Sequence, residues 1–167
     1  MNNKTKKIAF LGMLASLAMV LSYIELLIPP IYAGIPGIKM GLPNIVIIFT
    51  LYRFGIKEAI TVSFVRLCCV SLLFGTVMTF WYSLAGAALS LAVMALLKQI
   101  DLFSAVGVSI AGGISHNIGQ ILVAILLLGR VEIGYYLAVL AITGTIAGTL
   151  VGLAAVYLIK LLKRVKL

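Results

Sequence analysis

The residues that could do chemistry here sit where charge and polarity are costly. Arg66 interrupts the apolar run from Ala59 to Phe74. A charged side chain at such a position faces the interior of a helix bundle or a cavity, and is a functional candidate by default. Two roles suit it. It can hold an anionic or polar group of a ligand, which is the preferred reading, or it can snorkel or pair internally with Glu25 or a backbone carbonyl. Ser115, His116, Asn117 and Gln120 form a polar patch inside another apolar run. His116 and Gln120 are four apart and share a helix face, with Asn117 beside it. Such a patch either bonds to neighbouring helices or lines a binding cavity. Glu25, near the end of the first run, suits structural pairing, interfacial exposure or ligand contact. Asn44 opens the second run, where free N–H groups and the helix dipole favour an anion. Lys39, just before it, either joins that anion site or is a solvated loop charge. The expected substrate-binding set is Arg66, Asn44, Lys39, His116, Asn117, Gln120 and Glu25.

Other chemistries lack their residues. A lone His with no second His, Cys or nearby carboxylate makes a poor metal site. The single aspartate, Asp101, leaves no paired acidic motif to hold Mg²⁺ and diphosphate. No P-loop pattern is present, and no Ser-His-Asp set is credible. No catalytic residue, metal or cofactor is therefore expected. Cys68 and Cys69 are adjacent inside an apolar run, which suits helix packing better than metal binding.

The elements that must position these groups are membrane helices. Of the 167 residues, 63% are hydrophobic and only 10% charged, and the mean hydropathy is +1.25. Soluble domains run at roughly 45–50% apolar and about 25% charged. The net charge of +9 sits at the chain ends and between apolar runs. It reads as a membrane orientation signal rather than a nucleic-acid surface. Spans are expected at Ile8–Ile28, from Gly41 or Asn44 to Phe54, and at Ala59–Phe74. Three more follow at about Thr76–Leu97, Leu102–Leu128 and Ile133–Leu162. The first run is too long for a signal peptide's apolar region and lacks a cleavage site, so it is read as a retained helix. Pro29–Pro43 is too apolar for a solvated loop and reads as a re-entrant or capping segment. The expected fold is thus an all-α integral membrane domain over residues 1–167, a bundle of six transmembrane helices.

With the N-terminus inside, ten Lys/Arg fall on inner segments and two, Lys39 and Arg130, on outer ones. Both termini are then cytoplasmic, in a bacterial cytoplasmic membrane. Trp81, Tyr82, Tyr135 and Tyr136 lie near outer helix starts, as an aromatic belt would. Gly12 and Ser16, with Ala9 and Ala15, give the first helix a small-residue surface. Gly144, Gly148 and Gly152 do the same for the sixth. Such spacing lets helix backbones approach closely. Packing within the bundle is the ordinary use; docking onto another membrane subunit is the alternative for the first helix.

Several stretches carry a resemblance: Lys39-Met-Gly-Leu-Pro-Asn44, Ala59 to Thr76 with its Arg66, Ser83-Leu-Ala-Gly86, and His116-Asn-Ile-Gly-Gln120. Together they resemble the Gx transporter family, also known as heptaprenyl diphosphate synthase component I, over nearly the whole chain. Pro43 stands where that pattern has a small residue. The family is similar in size and topology to the substrate-binding S components of energy-coupling factor transporters. That resemblance implies a ligand-binding membrane subunit whose first helix, at Ala9, Gly12, Ala15 and Ser16, docks onto a coupling subunit with ATPases. A vitamin or a quinone or isoprenoid precursor would be the substrate. The family's other name implies the alternative, a non-catalytic membrane subunit in prenyl diphosphate or menaquinone synthesis.

Overall fold

A computed structural model describes residues 2–28 and 40–164. Most of the Pro29–Pro43 segment, including Lys39, lies outside the described residues. Among those described, the chain forms six α-helices. They are α1 (Asn3–Leu27), α2 (Leu42–Arg53), α3 (Ile56–Phe74), α4 (Val77–Ile100), α5 (Ala105–Leu128) and α6 (Leu137–Leu161). Four stretches, Lys4–Leu27, Val77–Ile100, Ala105–Leu128 and Val131–Leu161, are long and apolar enough to cross a membrane. The expected sixth run begins differently. Val131–Tyr136 is wound as a 3-10 helix, and α-helix starts only at Leu137. Tight winding of this kind is common at helix starts.

Local chemistry sets the ends. The Thr76 hydroxyl accepts from the Thr79 N–H, and the Thr79 hydroxyl accepts from the Thr76 N–H, a reciprocal cap that opens α4. The Ser104 hydroxyl accepts from the Gly107 N–H at the start of α5.

α2 organises the interior. Its 12 residues span about 18 Å at about 1.5 Å per residue, well short of a bilayer's ~30 Å hydrocarbon core. It is apolar and buried almost all round, through Val46, Ile47, Ile48, Phe49, Thr50 and Leu51. A helix with no polar face belongs inside a protein. α2 packs on α1, α3 and α6, while α1–α3, α3–α4, α4–α5 and α5–α6 contacts complete the bundle.

Charged neighbours tie both ends of α2. The Gly41 N–H, at its N-terminus, donates to the Glu25 carboxylate. At its C-terminal end the Leu51 carbonyl accepts from Lys98 Nζ at 2.7 Å, and the ammonium sits 5.1 Å from the Tyr52 ring centroid. A negative group at the N-terminus and a positive one at the C-terminus both complement the helix dipole.

The α5–α6 seam is built by glycine. A Cβ on Gly113 would lie 2.7 Å from the Gly144 carbonyl oxygen, and one on Gly148 would lie 2.7 Å from Ile110 Cα. The small residues of α6 are thus used inside the bundle. Gly12 differs: a Cβ there would meet nothing within 4 Å. Ala9, Gly12 and Ser16 lie on the outer surface of α1, whereas Ala15 is buried in the chain's own core. The expected four-residue docking surface therefore loses Ala15, because its helix angle turns it inward. Elsewhere the bundle exposes large apolar side chains at helical spacing, among them Ile142, Ile146, Leu150, Leu153 and Tyr157 of α6. Lipid suits such a surface; water does not.

Candidate ligand-binding cavity

All six helices line one cavity of ≈ 100 Å³, and five of them aim polar side chains into it. A single water needs only ~10–15 Å³ by the same kind of measure, so a multi-atom ligand has room. α1 contributes Ser22 and Glu25, α2 contributes Pro43, Asn44 and Ile48, and α3 contributes Arg66, Val70 and Ser71. α4 adds Ser83, Ser90 and Met94. α5 supplies Ser109, Gly112, Gly113, His116, Asn117 and Gln120, and α6 closes the wall with Gly144, Gly148 and Val151. The cavity lies where the end of α1 meets the start of α2.

Backbone geometry makes room for the polar groups. Gly41 takes a left-handed conformation, φ 72°, which favours glycine. That turn aims its N–H at Glu25 on the cavity wall. Gly86 of α4 lets His116 pack directly against the α4 backbone: a Cβ there would lie 2.9 Å from His116 Cε1 and from the His116 carbonyl oxygen.

Arg66 is the dominant electrostatic feature. Its Nη1 donates to Ser22 Oγ at 3.3 Å, a long contact for a hydrogen bond. Its Nε is buried and has no hydrogen-bond partner among the described residues. Glu25 lines the same cavity and attracts the guanidinium. Ser22 is in turn anchored to its own helix, donating to the Ala18 carbonyl at 2.8 Å.

Six of the seven residues expected to bind substrate line this cavity: Arg66, Asn44, His116, Asn117, Gln120 and Glu25. The seventh, Lys39, lies outside the described residues. Asn117 also fulfils the other role open to it, since its Nδ2 donates to the Leu140 carbonyl of α6 at 2.7 Å. Ser115, part of the same sequence patch, bonds back to the Ala111 carbonyl of its own helix at 2.6 Å and is not part of the lining. Ser22, Ser71, Ser90 and Ser109 escaped the sequence reading, and Ser83 entered it only within a stretch that carries the family resemblance. A signal did exist for Ser109: it lies seven residues before His116, on the same helix face.

Helices long and apolar enough to span a membrane, folded around an internal cavity that carries polar groups, define a helical membrane protein. The sequence pattern then gives the family. The family model described as heptaprenyl diphosphate synthase component I matches residues 14–158, and the chain belongs to that family. No curated protein and no solved structure matches the chain.

Proposed function

We propose that this protein is the membrane-embedded substrate-binding subunit of a small-molecule importer, resembling the S components of energy-coupling factor transporters. One observation carries the reading: a guanidinium, a carboxylate and several amides and hydroxyls, carried by five helices, face one interior cavity. Buried polar groups are costly unless they are satisfied, and Arg66 Nε is left without a partner. A ligand that meets these groups explains their convergence better than packing does. In this reading all six helices cross the cytoplasmic membrane or lie within it, both termini are cytoplasmic, and ligand enters from outside. The outer face of Ala9, Gly12 and Ser16 receives a coupling subunit with its ATPases.

The test is retention of a ligand. Purified full-length protein is incubated with a metabolite extract, washed, denatured and analysed by mass spectrometry. A molecule retained by the wild type and lost from Arg66→Ala supports the reading. If the wild type retains nothing small, the cavity is not a ligand site.

A second reading is favoured by the family match. The family's name denotes one component of a prenyl diphosphate synthase, which for this chain means a non-catalytic membrane subunit partnering a soluble synthase component. Co-purification with a prenyl synthase whose product length changes in its presence would favour this role over import.

A further inference from the structure

We propose that the ligand of this cavity is a compact polar molecule recognised through a single carboxylate on Arg66, and not a prenyl diphosphate; this rests on the ligand-binding reading above. Three observations point there.

The first is the geometry of Arg66. Among the described residues its one hydrogen bond leaves from Nη1, to Ser22. The opposite edge of the guanidinium, Nε and Nη2, makes none, and Nε is buried. That edge is a planar fork of two parallel N–H donors, the shape that a carboxylate matches with its two oxygens. A neutral acceptor could satisfy one donor of the fork, whereas a carboxylate satisfies both and supplies the opposite charge.

The second is charge balance. Among the described residues, the formally charged side chains lining the cavity are Arg66 and Glu25, one of each sign. The α2 N-terminus adds roughly half a positive charge, and the Glu25 carboxylate already caps it through the Gly41 N–H. A single ligand carboxylate takes the balance of the described groups from about +0.5 to about −0.5, the smallest excess an anionic ligand can leave. A diphosphate brings two or more negative charges, and each one left uncompensated in a low-dielectric interior is strongly disfavoured. Magnesium beside a diphosphate is usually held by one or two carboxylates; among the described lining residues Glu25 is the one carboxylate, and it already accepts from the Gly41 N–H.

The third is the rest of the lining. Sharing the cavity with Arg66 are the side chains of Asn44, His116 and Gln120, with Ser83 and Ser90 along α4. These suit a small body rich in hydrogen-bonding atoms. A prenyl chain needs a continuous apolar tunnel, and a cavity of ≈ 100 Å³, whose apolar wall of Ile48, Val70, Met94 and Val151 is interrupted by hydroxyls and amides, does not supply one.

The experiment uses full-length protein in detergent and reads thermal stability against increasing benzoate, benzamide, inorganic diphosphate and farnesyl diphosphate. Benzoate carries the planar carboxylate, and benzamide has the same shape without the charge. Benzoate is expected to raise the melting temperature saturably, with benzamide at least tenfold weaker. Neither diphosphate should give a saturable shift. In Arg66→Lys, which keeps the charge but loses the fork, benzoate binding should fall at least tenfold. The comparison of benzoate with benzamide needs no variant and stands even if Arg66→Lys fails to fold. A saturable shift from either diphosphate that exceeds the benzoate shift overturns the proposal but leaves a ligand-binding protein. Equal shifts from benzoate and benzamide, or none from benzoate, overturn it as well. Failure of ligand binding altogether is read separately, by the retention measurement on metabolite extract.

Discussion

The two ends of α2 meet charge in different ways. At the C-terminal end, Lys98 Nζ donates to the Leu51 carbonyl at 2.7 Å and its ammonium lies near the Tyr52 ring. Charge and acceptor satisfy each other there, within the chain, although the Tyr52 hydroxyl is buried without a hydrogen-bond partner among the described residues. At the N-terminal end, Glu25 accepts from the Gly41 N–H, but beside it Arg66 has one long hydrogen bond and a buried donor without a partner. At the first end the charged group is satisfied within the chain. At the second, in the proposed reading, a ligand completes it. The difference gives a rule for reading polar groups in a membrane bundle: whether they are buried matters less than whether the chain itself satisfies them.

The strongest way to break this comparison is to remove what joins the two ends. Ile47 is 2% exposed, in the middle of α2. Ile47→Ala is expected to cost about 2–5 kcal/mol, the usual range for emptying a packed aliphatic site. Chemical denaturation in detergent measures it. Both ends should suffer together, with ligand retention falling alongside stability; retention lost at unchanged stability would mean that α2 is not a packed strut.

Arg66→Ala should separate the ends. Loss of hydrogen bonds to a charged group costs about 1.5–3 kcal/mol, so the retained ligand should bind roughly 10- to 150-fold more weakly. Stability without ligand should change little, because the guanidinium gives up one long bond and an orphaned donor. A large loss of stability with ligand affinity intact would move Arg66 to the structural side of the comparison.

Lys98→Met is the counterpart at the other end. It leaves the Leu51 carbonyl without its side-chain donor, at an expected cost of about 1–3 kcal/mol in stability. Ligand affinity, once measured on the folded fraction, should be that of the wild type. A drop in affinity would show that the two ends are coupled through α2.

The sequence made the open end more legible than the closed one. Arg66 stands out because a lone charge inside an apolar run has few reasons to be there. His116 and Gln120 stand out because their spacing of four fixes a shared face whatever surrounds them. The short second run betrays α2 by its length alone. Lys98 gave no such signal. A lysine at the end of an apolar run reads as a membrane boundary, and only the fold brings it to a carbonyl 47 positions earlier in the chain. The cavity serines were silent for another reason: a serine in a membrane helix can satisfy itself on its own backbone, as Ser22 and Ser115 do. Ala15 misled because apolar residues face both lipid and core in such a bundle. Hydrophobic periodicity then does not say which side of α1 is inside.

The smallest expected effect lies at the chain's first ion pair, where Lys7 of α1 meets Glu58 in the first turn of α3. The hydrogen bond from Lys7 holds the Glu58 carboxyl below its ordinary range, with a contribution from its own backbone N–H. A carboxyl whose pKa is lowered by folding stabilises the fold at pH values above the unfolded group's pKa. That contribution is lost as pH falls through the lowered folded value. The pair lies at the surface, with Lys7 exposed and Glu58 partly so, so its worth is small, about 0.2–1 kcal/mol. Glu58→Gln should therefore be less stable than the wild type near pH 7, by no more than that amount. The gap should close as pH falls through the lowered folded value, where the wild-type carboxyl takes up its proton, and it should shrink in high salt. Ligand retention should not change in the variant, since Glu58 is not part of the cavity lining. A stability gap that stays constant from neutral to acid pH would show that Glu58 acts through packing rather than charge.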